Sequence, residues 1–130
     1  MPPVVQIQVM RAPGDCAIAA LSMLLGVSYE DVLGAAVTTT KSARVHHKGL
    51  FTRDIKRTAK RLGVVLTQNR TIDLENDEGV LVLEGVDGRR HAVLLKAGLV
   101  FDGDGTVWEP ETLFAHQQYQ PTSLLVRTDE

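Results

Sequence analysis

The chain has 130 residues, a net charge of −2, 44% hydrophobic and 23% charged residues. That balance suits one compact globular domain over residues 1–130 and excludes a disordered, fibrous or collagen-like chain. A single cysteine excludes an internal disulfide, and the opening Met1-Pro2-Pro3-Val4-Val5 has neither a basic stretch nor a long apolar run, so a cytoplasmic protein without a membrane partner is expected.

In chain order, Val5 to Val9 alternates apolar residues with Gln, the period of a half-buried strand. Pro13-Gly14 breaks it, and Asp15 is placed to cap a helix running from Cys16 to Leu25, with Gly26 as its stop. This helix is apolar nearly all round, which predicts burial. Ser28-Tyr29-Glu30-Asp31 resembles a capping box and predicts a second helix to about Ala36. Thr38 to Gly49 is polar and reads as a loop. Thr52 is placed to cap a third helix ending at Leu62, before Gly63, with Ile55, Ala59 and Leu62 facing inward.

From there the periodicity becomes that of strands. Val64–Thr67, Val80–Glu84, His91–Lys96, Leu99–Asp102 and Ser123–Arg127 are the candidates, with a brief helix after Pro110 from Glu111 to His116. Helices first and mostly antiparallel strands afterwards predict an α+β protein.

Charge is unevenly placed. Lys41 to Thr71 holds nine Lys or Arg and one acid, whereas Ile72 to Glu130 holds twelve acids and four bases. A basic segment of this kind is either a solvated helix face or a surface for an anionic partner.

Cys16 falls in the first turn of the buried helix, just after a Pro-Gly-Asp turn. A helix amino terminus carries partial positive charge and free N–H groups, which stabilise a thiolate and an oxyanion alike. A nucleophilic Cys requires a base, usually a His held by a third group. His46 and His47 lie in a basic loop and His116 at the end of a short helix. His91 opens an apolar strand and is the best mount for a base. If Ala97-Gly98 is a two-residue turn, Val93 pairs with Asp102 and His91 with Asp104, and all four share one face. Either aspartate can then reach the His91 ring. The Phe101–Gly105 turn does not match an EF-hand, and no cofactor or metal is expected.

Several segments together resemble a known family. Gly14 to Gly26, with Cys16 near its start, is similar to the Cys-bearing helix of the double-glycine leader peptidases, papain-like cysteine peptidase domains of the bacteriocin-processing type. Gly49–Ile55, Ala59 and Leu62–Val64 resemble that family's third helix and following strand. Gly79–Leu83, His91–Leu95 and Val100–Asp102 resemble its His and Asp strands. The resemblance spans roughly residues 8 to 105. It implies a papain-like fold with N-terminal helices on a C-terminal antiparallel sheet, and a thiol protease acting on a peptide or protein substrate. In that likeness Cys16 is the nucleophile, His91 the base and Asp102 the orienting acid, with Asp104 as the alternative. The family places an oxyanion Gln six residues before the Cys; Met10 stands there, and Gln8 is the nearest replacement.

Two other functions are compatible with the same residues. One is an inactive binding module on the papain-like fold, which Met10 favours. The other, less favoured because the chain is acidic overall, is a nucleic-acid-binding protein using the basic segment 41–63. Neither periodicity nor charge specifies an oligomeric state.

Overall fold

A computed structural model describes residues 15–44 and 50–128. The expected strand over Val5–Val9, together with Gln8, Met10, His46 and His47, lies outside the described residues. The protein is α+β, with four helices and a six-stranded antiparallel sheet among those residues. The helices are α1 (Cys16–Leu25), α2 (Tyr29–Thr40), α3 (Thr52–Arg61) and α4 (Pro110–Gln117). The strands are β1 (Leu66–Asn69), β2 (Gly79–Gly85), β3 (Arg90–Lys96), β4 (Leu99–Phe101), β5 (Val107–Trp108) and β6 (Tyr119–Arg127).

Helix α1 is apolar all round, and Ala17 through Leu24 are buried. It stops at Gly26, whose φ of 67° is the left-handed conformation that glycine adopts without strain. Ser28 caps α2 by accepting the Asp31 N–H at 3.1 Å. This helix runs four residues past its expected end at Ala36. The hydroxyls of Thr38 and Thr40 bond back to the carbonyls of Gly34 and Ala36, which lets polar residues continue the helix. Helix α3 begins at Thr52, but Phe51 occupies the cap position. The Phe51 N–H donates to the Asp54 carboxylate at 3.3 Å.

The strand order is β1-β6-β2-β3-β4-β5, every neighbouring pair antiparallel. Alternation along the central strands separates two apolar clusters. Val80, Val82, Ala92 and Leu94 pack with α1, α2 and Ile55 and Ala59 of α3. Leu81, Leu83, Val93 and Leu95 pack with Leu113 of α4 on the other face. The N-terminal helices therefore cover one face of the sheet, and α4 contributes to the other. Gly79 approaches its neighbouring strand closely: a Cβ there would lie 2.2 Å from the Leu125 carbonyl oxygen.

Candidate active site

Asp15 is the cap residue of α1 by position, and its carbonyl accepts the Ala19 N–H at 3.0 Å. Its side chain does not cap, contrary to the expectation for that residue. The carboxyl is fully buried and accepts the Tyr29 hydroxyl at 2.6 Å, joining the start of α1 to the start of α2. Cys16, the next residue, is only partly buried at the mouth of α1. The first-turn N–H groups of a helix have no intrahelical acceptor, so a group at this end meets donors rather than acceptors.

His91 is the second residue of β3. Strands β3 and β4 are joined by a two-residue turn, Ala97-Gly98, with φ of 54° and 79°, both left-handed as the tightest hairpin turns require. The register pairs Leu94 with Phe101, Leu95 with Val100 and Lys96 with Leu99. Counting outward, Val93 lies opposite Asp102, and His91 lies on the diagonal to Asp102. His91 Nε2 lies 2.9 Å from Asp102 Oδ1. The two side chains are 14% and 10% exposed, so the pair is shielded from bulk water.

Asp104, the alternative acid, does not take this role among the described contacts. The ladder ends at Phe101 and the chain turns, with the Asp102 N–H donating to Thr106 O and the Gly105 N–H to Asp102 O. The Asp104 carboxylate is left to hold the Thr106 N–H and hydroxyl, and Trp108 Nε1 donates to that same hydroxyl. Asp104 therefore shapes the turn that aims Asp102.

Electrostatics link all three candidates. Burial alone would lower the affinity of His91 for a proton, but the hydrogen-bonded Asp102 carboxylate and the influence of the Cys16 side chain push it up to about 10. For Asp102, burial raises the pKa, but the His91 hydrogen bond and charge outweigh it and hold the carboxyl below its ordinary range. Nε2 faces Asp102, so Nδ1 is the ring nitrogen left for any interaction with Cys16.

Two residues at this site carried no signal of their own in the sequence. Tyr119, the first residue of β6, stacks on the His91 ring at 5.5 Å between centroids and 17° between planes. The Arg89 guanidinium sits 5.2 Å from the Tyr119 ring and pairs with Asp87 at 2.7 Å. The segment around Tyr119 is polar, and its strand was legible only from Ser123 onward. His116 packs against Trp108, 5.3 Å between ring centroids. Among the described residues no group of three or more His, Cys, Asp or Glu is placed to hold a metal ion, and no helix is long and apolar enough to cross a membrane.

Compared with protein-family models, with curated proteins and with solved structures, the chain matches none.

Proposed function

We propose that this chain is a papain-like cysteine hydrolase that cleaves a peptide or isopeptide bond, with Cys16 as nucleophile, His91 as base and Asp102 as the orienting acid. The observation that carries this reading is His91 itself. One ring nitrogen is fixed by a shielded carboxylate at 2.9 Å, and the other is left for the sulfur at the mouth of a buried helix. The resemblance of the Cys16 helix and the His91 and Asp102 strands to double-glycine leader peptidases supports the same assignment and names a peptide as the substrate.

In this mechanism His91 takes the thiol proton, which Asp102 and the raised proton affinity of the ring favour. The sulfur attacks the scissile carbonyl carbon, and the electron pair of the C=O bond moves onto oxygen. The backbone N–H of Cys16 and the side chain of Gln8 are assigned to that oxyanion. His91 then gives its proton to the leaving amine as the C–N bond breaks, leaving a thioester on Cys16. Water attacks the thioester with His91 as base, releasing the acid and restoring the thiol.

The test is alkylation of Cys16 by a small thiol-directed electrophile, followed by mass across pH 5 to 9 in buffer of fixed ionic strength. Wild-type protein should react near neutral pH at least about tenfold faster than the His91→Ala variant. A peptide with a Gly-Gly site and a C-terminal reporter should be turned over by wild type and not by Cys16→Ala. Equal alkylation of wild type and His91→Ala, with no turnover of any peptide, would leave the fold as a binding module.

A further inference from the structure

The basic segment plays no part in the cleavage chemistry, yet its side chains converge. A groove of about 500 Å³ opens beside the start of α3, lined by Phe51, Thr52, Arg53, Lys56, Gln68 and Arg90. A second hollow of about 280 Å³ shares Thr52, Gln68 and Arg90 with it and adds Arg70 and Glu84, so the two adjoin and together make up a shallow channel. Four cations from separate parts of the chain line this channel, against one carboxylate.

Among the described residues none of Arg53, Lys56, Arg70 and Arg90 forms an ion pair. Arg90 is instead held in place by neutral partners. Its guanidinium lies 5.0 Å from the Phe51 ring and donates to the Thr52 hydroxyl at 3.4 Å. Glu84 stands directly across the ladder from Arg90 without pairing with it. Cations gathered in a concave surface and left unneutralised raise the local potential and concentrate anions there. Arginines in such clusters recognise carboxylates through paired N–H donors.

We infer that this channel binds an acidic stretch of the polypeptide that the enzyme cleaves, an assignment that rests on the peptidase reading given above. Arg90 is the first residue of β3 and His91 the second, and their side chains leave the strand on opposite faces. A peptide that occupies the channel and reaches the ring therefore passes round the start of β3. The lining favours a peptide over a nucleic acid. Glu84 lies within the channel and would repel a backbone charged at every step. A peptide can place an uncharged residue there, and Thr52 and Gln68 offer hydrogen bonds to its amides.

The experiment uses the Cys16→Ala protein and two fluorescent eight-residue peptides, one of Glu and one of Gln, with binding followed by anisotropy. The Glu peptide should bind at least about tenfold more tightly than the Gln peptide in 50 mM salt, and the preference should fall as salt rises. Arg53→Glu combined with Lys56→Glu should remove the preference. The same pair of changes in wild-type protein should leave alkylation of Cys16 unchanged, which shows that the fold and site persist. Equal binding of the two peptides, or displacement of the Glu peptide by a single-stranded oligonucleotide of equal charge at a tenth of its own concentration, overturns the inference. Glu-selective binding with a Cys16 that does not alkylate near neutral pH would uphold the channel and remove the peptidase reading instead.

Discussion

Asp102 and Asp104 carry the same side chain, two positions apart, on the same parity of a short hairpin. Asp102 is almost fully buried against His91, whereas Asp104 is exposed and committed to Thr106. The difference arises from where the ladder ends, since the chain turns immediately after Asp102, with Gly105 at a φ of 91°. Asp102→Ala should therefore lower peptide turnover by about two to four orders of magnitude, in the range seen when a His loses the carboxylate that fixes its tautomer. Asp104→Ala should act only through the turn and cost about tenfold or less. Steady-state rates on the Gly-Gly reporter peptide rank the two, and the opposite ranking would show that the 2.9 Å contact is not the one used in catalysis. Tyr119 gives the His–Asp pair an aromatic cover, and no residue pattern near it in the sequence announced this role.

The Ala97-Gly98 turn sets the register of β3 and β4, and through it the meeting of His91 with Asp102. Gly98 adopts positive φ without cost, but Ala97 at 54° carries a Cβ into a conformation that disfavours it by about 1 kcal/mol. Ala97 is exposed, so a residue better suited to that position has room. Ala97→Asn should raise stability by about 0.5–1 kcal/mol, read as a higher midpoint in urea, while leaving the rate per folded molecule unchanged. A lower midpoint would mean that the turn is not of the tight left-handed type. Elements were legible where one signal dominated. Helix α1 was readable from its unbroken apolar run and Gly26, and β3 from His91–Lys96. Periodicity was a poorer guide where polar residues continue an element. The end of α2 was hidden because Thr38 and Thr40 satisfy their own helix, and β5 because two residues make no period. The first half of β6 was hidden because Tyr119–Thr122 is largely exposed.

Charge state ties the site to the stability of the whole molecule. His91 has its proton affinity raised on folding, from an ordinary 6.5 to about 10. Its contribution is thus fully present below pH 6.5, where both folded and unfolded rings are protonated, and is lost as pH rises through about 10. Asp102 has the opposite sign: its contribution is present above its ordinary value of 3.8 and is lost as pH falls through its lowered folded value. The urea midpoint of wild type, relative to His91→Ala, should therefore decline between pH 6.5 and 10; a constant difference across that span would show that the ring is not held protonated. The sheet has one further consequence, concerning the order in which the molecule is made. Strand β6 comes last among the described elements, yet it sits between β1 and β2 and brings Tyr119 to the His91 ring. Cys16 emerges in synthesis well before the strand that joins β1 to the rest of the sheet. A nascent chain thus carries the Cys16 sulfur before the sheet around His91 is assembled, so any reactivity that needs the assembled site waits for β6.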